Sequence, residues 1–133
     1  MYGSDVKEFG AVGDGFQEDS FAIQAALDSG KPLITIPYGN YKIGETLRIS
    51  SNTRLQIHPR ARLFFADNAG VEQDSFLITN KHHDDGDRDI HIEGGIWDGN
   101  NQNNPRGPDE PHSYSGVLIN FSNVTELTLR SMT

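Results

Sequence analysis

From Pro32 onward, apolar and polar residues alternate in short runs: PLITIP, YKIG, TLRIS, TRLQIHP, ARLFFA, SFLIT, DIHIEG, GVLINF and ELTLRS. Gly, Asn, Asp or Pro separates the runs, and a period of two predicts half-buried β-strands. In NTRLQIHPRARLFF, Leu55, Ile57, Ala61, Leu63 and Phe65 share one parity and are expected to face a core. Arg54, Gln56, His58, Arg60, Arg62 and Phe64 share the other and are expected to face water. Before Pro32 the period is different. Ala22, Ile23, Ala26 and Leu27 recur at helical spacing and predict one short amphipathic helix over residues 19–29. Asp19 or Ser20 is the expected N-cap, and Gly30 the left-handed stop. Ahead of the helix, Gly10, Gly13 and Gly15 predict a turn-rich approach; GAVGDG lacks the lysine of a nucleotide-binding loop.

The strands also repeat. NTRLQI, DRDIHI and NVTELTL each place Asn or Asp a few residues ahead of an apolar-x-apolar pattern, with Leu55, Ile90 and Leu127 about 35 residues apart. Strands recurring at this spacing, with no helices between them, predict a solenoid coiling round a shared core. Antiparallel hairpins call for two-residue Asn-Gly-type loops, and the chain offers little beyond Gly39-Asn40. A solenoid exposes an apolar end and open strand edges at its first coil. The opening helix is expected to cover them.

Composition narrows the partners. At 133 residues the chain makes one domain with a real core. A net charge of -8 and a pI near 4.9 argue against nucleic acid and against attraction to anionic membranes. The absence of cysteine excludes disulfides and thiolate metal sites. No apolar run approaches the roughly 18 residues of a membrane span, and Met1 is not followed by a signal peptide.

FGAVGDGFQEDSFAIQAALD followed by ITIPYGNYKIG, then IHIEGGIWDGN and GVLINFSNVTELTLRSMT, resembles the pectin-lyase-like right-handed parallel β-helix proteins. Within that group the chain is most similar to glycoside hydrolase family 28, the polygalacturonases. The resemblance implies an all-β fold: a right-handed parallel β-helix with a short N-terminal capping α-helix. It implies one truncated domain over 1–133, with the opening segment and cap helix at 1–30 and β-helix coils over 31–133. It also implies a secreted or periplasmic parent enzyme that hydrolyses pectic polysaccharide with inversion and needs no cofactor. The family's catalytic motifs, N-T-D, D-D, G-H-G and R-I-K, are expected after Thr133, so this stretch is expected to be inactive scaffold. A lyase of the same fold, a tailspike or adhesin, and a free-standing carbohydrate-binding module are the alternatives. An open C-terminal end, with Leu118, Phe121, Leu127 and Leu129 near it, suggests homo-oligomers formed tail to tail.

Candidate site residues are few. Trp97, the single tryptophan, offers a sugar-stacking surface if exposed and a core residue if not. Arg106 and His112, in the long stretch NNQNNPRGPDEPHSYS, are candidate sugar contacts. KHHDDGDRDIHIE gathers imidazoles and carboxylates, but its spacing misses the calcium loop, and no metal is expected there. Asp98, beside a turn glycine, is expected to bond its own backbone. Lys42, Arg48, Arg54, Arg60 and Arg62 form a basic stretch able to attract a polyuronate, or a plain solvated face.

Overall fold

The alternating runs form three parallel sheets in a computed structural model that describes residues 3–67, 69, 76–100 and 119–133. Sheet A holds β1 (Gly3–Asp5), β3 (Leu33–Ile36), β6 (Thr53–Ile57), β9 (Asp87–Glu93) and β12 (Val124–Arg130), side by side in that order. Sheet B holds β2 (Asp14–Glu18), β4 (Asn40–Ile43), β7 (Arg62–Phe65) and β10 (Ile96–Asp98). Sheet C holds β5 (Leu47–Ile49), β8 (Ile78–Asn80) and β11 (Ile119–Asn120). The chain passes through A, B and C in turn, then returns to A one strand further on. This is a parallel β-helix, and parallel crossovers take the right-handed sense. Gly39-Asn40 is a corner between two sheets rather than a hairpin turn.

Inward side chains stack in columns from coil to coil. Ile34, Leu55 and Ile92 form one, Tyr41, Leu63 and Trp97 another, and Leu47, Ile78 and Ile119 a third. The predicted inward parity of Leu55, Ile57, Ala61, Leu63 and Phe65 is observed, all five being buried. Phe64, of the outward parity, is buried as well. The Arg62 guanidinium lies 4.2 Å from its ring centre and covers it from outside sheet B.

Register corrects the repeat. Ile90 does pair with Leu127, but Leu55 pairs with Ile92. Sheet A is also crossed by a shorter coil, from Leu33 to its partner Arg54. Asn52, Asp89 and Glu126 fall at one level of three successive coils, each with a left-handed backbone (φ 59, 60 and 62°). Asn and Asp tolerate this conformation better than other residues with a Cβ. A hydrogen bond with Asp89, and the negative charge of Asp89, hold the Glu126 carboxyl above its usual range.

The opening segment supplies most of the first coil, β1 and β2, and α1 (Ser20–Leu27) takes its third side against β5. Ile23, Ala26 and Leu27 are buried, as their spacing predicts. The capping differs from expectation. Asp19 makes no cap hydrogen bond to the helix. Its buried carboxylate turns back and accepts from the backbone of Val12 (3.1 Å) and Gly13 (2.9 Å) and from Gln17 Nε2 (3.2 Å), closing the glycine-rich loop. Glu18 does the capping, accepting from the Ser20 amide (2.8 Å) and hydroxyl and from the Gly44 amide (3.0 Å). The helix stops at Leu27 with Asp28 still in the right-handed region, so left-handed Gly30 serves the turn beyond it.

One side chain completes the edge of sheet C. The Arg48 amide donates to Gln24 Oε1 (2.8 Å), and Gln24 Nε2 donates to the Arg48 carbonyl (2.9 Å). The carboxamide thus does for β5 what a neighbouring strand would do, satisfying groups that invite foreign strands when left open. Gln24→Ala should cost about 1–2 kcal/mol, two modest hydrogen bonds. It should also speed exchange of the Arg48 amide; unchanged exchange there would show that the carboxamide does not seal the edge.

Candidate functional site

Three corners between sheets A and B differ in length, and the difference makes a groove. The corners span 37–39, 58–61 and 94–95. The last consists of Gly94 and Gly95, drawn tightly against the coil below. A Cβ on Gly94 would lie 2.0 Å from the Ile57 carbonyl oxygen. This pinched corner leaves a groove of about 490 Å³ lined by residues of four successive coils, among them Thr35, Pro37, Gln56, His58, Glu93 and Ser131. A smaller hollow of about 180 Å³ shares Gln56 and Glu93 and extends over the outer face of sheet A to Arg54, His91, Thr128 and Arg130.

The rim is aromatic. Tyr38 is 63% exposed and meets His58 edge to face, with ring centres 5.6 Å apart. His58 is oriented in turn by the Arg60 amide, which donates to its Nδ1 (3.0 Å). Outward positions Thr35, Gln56, Glu93 and Arg130 pair from coil to coil, as do Arg54, His91 and Thr128, so polar side chains stand in register along an open channel.

The residues singled out in the sequence are placed as follows. Trp97 is 8% exposed and points inward over Leu63, its indole N–H donating to the Gly94 carbonyl (3.2 Å). Its ring packs in the core and gives no surface for a sugar. Arg106 and His112 lie outside the described residues, as does Leu118. In the His/Asp stretch, Asp87 is buried and accepts from the Ser51 amide and hydroxyl (3.1 Å each), Asn80 Nδ2 (3.0 Å) and the His82 amide (2.8 Å). His82 Nδ1 stands 2.9 Å from the same carboxylate, and His83 bonds Thr79. Burial pushes the Asp87 carboxyl upward, but bonds from His82, Asn80 and Ser51 prevail and bring it down to about 2. Among the described residues, no group of three or more His, Asp or Glu is arranged to hold a metal ion.

Asp98 bonds its own turn through the Asn100 amide (2.8 Å) and pairs with Arg62 at 2.7 Å. Burial raises its carboxyl, and those two partners more than reverse the effect. The basic stretch does not form one stripe. Lys42 and Arg62 belong to sheet B, Arg48 to sheet C and Arg54 to sheet A, while Arg60 lies on a corner. Only Arg54 of these lines the groove hollows. Tyr38, Glu93 and Arg130 were not anticipated. A tyrosine inside a corner between two strands was the available signal for the first. The other two require the register.

Comparison with known proteins agrees with this architecture. A sequence profile described as rhamnogalacturonase A/epimerase, pectate lyase-like matches residues 4–104. Plasmin and fibronectin-binding protein A of Streptococcus pneumoniae is 31% identical over 122 residues, 88% of this chain and 15% of the relative. The pre-neck appendage protein of Bacillus phage phi29 is 32% identical over 104 residues, 77% of this chain and 12% of the relative. The crystal structure of PfbA, a surface adhesin of Streptococcus pneumoniae, superposes with a TM-score of 0.79 at 24% identity, covering 98% of this chain and 32% of that one. The chain therefore spans a small part of the curated relatives it matches. With its three parallel sheets, helix-capped first coil and this profile match over most of its length, the chain belongs to the rhamnogalacturonase A/epimerase, pectate lyase-like family.

Proposed function

We propose that this chain is the helix-capped opening of a longer surface-borne or secreted β-helix protein, and that its corner groove binds an extended polysaccharide. The observation that supports this reading is the groove itself, which runs across four successive coils at one corner, with Tyr38 packed edge to face on His58 of its lining. Relatives that are adhesins and phage appendages favour a binding module whose solenoid presents recognition surfaces.

A second reading concerns the parent protein. The family description favours action on a pectic polymer by the parent protein, with catalytic carboxylates expected on coils after Thr133. An inverting pair there would stand roughly 6.5–9.5 Å apart, leaving room for water. Both readings meet in one experiment on the 133-residue chain. Titration with pectic and other polysaccharide fragments should give saturable binding, weakened by Tyr38→Ala about two- to tenfold, the range of one aromatic contact. No reducing ends should be released. Binding indifferent to Tyr38 would remove the groove as the site, and cleavage by this chain would overturn the placement of the carboxylates.

A further inference from the structure

At the capped end of the solenoid the strand edges are blunted, yet large apolar side chains stand in the open. On β1 the Asp5 amide donates to Glu8 Oε2 (2.7 Å), and β5 is met by the Gln24 carboxamide. β2 is bulged. Asp14 pairs with Asn40 and Glu18 with Lys42, so three residues stand against Tyr41 alone. Such a bulge bends the strand and interrupts its ladder, which discourages the addition of a further strand. The bulge and the helix after it nevertheless carry the two most exposed large hydrophobic residues among those described, Phe16 at 83% and Phe21 at 69%. Val12, in the loop before them, is exposed as well. Phe16 is set on a braced backbone. Asp14 Oδ1 accepts from the amides of Phe16 (2.9 Å) and Gln17 (3.0 Å), and Gln17 Nε2 donates to the Gly10 carbonyl (3.2 Å). Gly10 in turn faces α1, where a Cβ built on it would lie 4.0 Å from that of Ala22, the neighbour of Phe21. The loop thus links the backbones that carry the two rings.

Charge selects what can cover them. Residues 1–30 contain six acids and one lysine, which is five of the chain's eight net negative charges. Glu8 and Asp14 are exposed there. Two such ends repel each other, which opposes a second copy, and an anionic lipid surface is opposed likewise. We propose that the capped end docks a protein partner through Phe16 and Phe21, on a face of that partner apolar at its centre and ringed by lysine and arginine. The five-residue spacing keeps the two Cα atoms within roughly 18 Å. A partner surface of ordinary size, about 800 Å² per side, spans both. An ordered backbone lowers the entropy lost when such rings dock. The aromatic anchors supply affinity, and the surrounding carboxylates speed encounter and reject acidic surfaces. Docking at this end is independent of what the corner groove binds.

Fluorescence anisotropy of the 133-residue chain with three labelled helical peptides of equal length tests this. One has a leucine face flanked by lysine. The second keeps the leucine face and replaces lysine by glutamate, and the third keeps the lysines and replaces leucine by glutamine. The leucine–lysine peptide should bind saturably, about tenfold more tightly than either of the others. Phe16→Ala and Phe21→Ala should each weaken it about tenfold, the loss typical of an aromatic anchor. Glu8→Gln and Asp14→Asn keep the accepting oxygens and remove the charges. Together they should weaken binding about threefold and flatten its salt dependence. Binding that both alanine variants leave unchanged would reduce the attraction to bulk charge and overturn the proposal. Preference for the glutamate peptide, or binding of none of the three, overturns it too. Dimers of the unmodified chain that Phe16→Ala disperses would give the surface to a second copy and overturn the cationic partner.

Discussion

Gly94→Ala should be the most damaging alanine substitution among the described glycines. The new Cβ would fall 2.0 Å from the Ile57 carbonyl oxygen, a fixed backbone atom that no rotamer change can move aside. The residue also sits at φ +87°, where a side chain costs roughly 1–2 kcal/mol before any contact is considered. Overpacking adds about 1–3 kcal/mol, so a total near 3 kcal/mol is expected. For a chain of this size that lowers Tm by roughly 10 °C. Gly30→Ala is the matched control. Its φ is +82° and nothing lies within 4 Å of the added atom, so the backbone cost alone should appear. Equal losses from the two substitutions would mean that the corner relaxes and that the groove floor is soft.

Asp87 is the second expectation, and its signature is a pH dependence. Its carboxylate joins the turn carrying Ser51 to Asn80, at the end of β8, and to His82 in the connection that follows, so that it ties two successive passages from sheet C to sheet A. With its pKa held at about 2 in the fold and 3.8 as the ordinary value, ionised Asp87 favours the folded state. That contribution is fully present above about pH 4 and is lost as pH falls towards 2, on the order of 2 kcal/mol. Asp87→Asn should therefore cost about 2 kcal/mol at neutral pH, with a flatter acid profile than the unmodified chain. Denaturant titrations at several values between pH 5 and pH 2 would reveal the difference. Parallel acid profiles would show that other carboxylates govern acid unfolding.

The fold was legible because its core obeys a local rule. The alternation from Leu55 to Phe65 needs only neighbouring residues to be read, and all five inward positions are inward. Register was less accessible, since coils of unequal length share one sheet and spacing alone set Leu55 level with Ile90 rather than Ile92. Phe64 escaped because its cover, the Arg62 guanidinium, lies outside the sheet and follows no period. Type and place suggest Asp19 or Ser20 as the residue whose side chain caps the helix. The loop folds back across Asp19, and the amides of Val12 and Gly13 claim the carboxylate instead. The candidate site was the least legible part. For Trp97 the sequence left the ring's direction open between surface and core, and the core alternative is the one observed. Glu93 and Arg130 are far apart in sequence and become neighbours through strand pairing alone.

The bond between Gln24 and Arg48 also bears on the order in which the molecule can assemble during synthesis. An eight-residue helix does not persist by itself in water. The strand that α1 docks against leaves the ribosome 24 residues later, a delay of roughly one to five seconds at ordinary elongation rates. Throughout that interval the exposed rings of Phe16 and Phe21 and the apolar side of α1 travel together on an unfinished chain. The smallest stretch able to hold its own beginning therefore reaches through Ile49, and the nascent protein must complete its second turn before its first is secure.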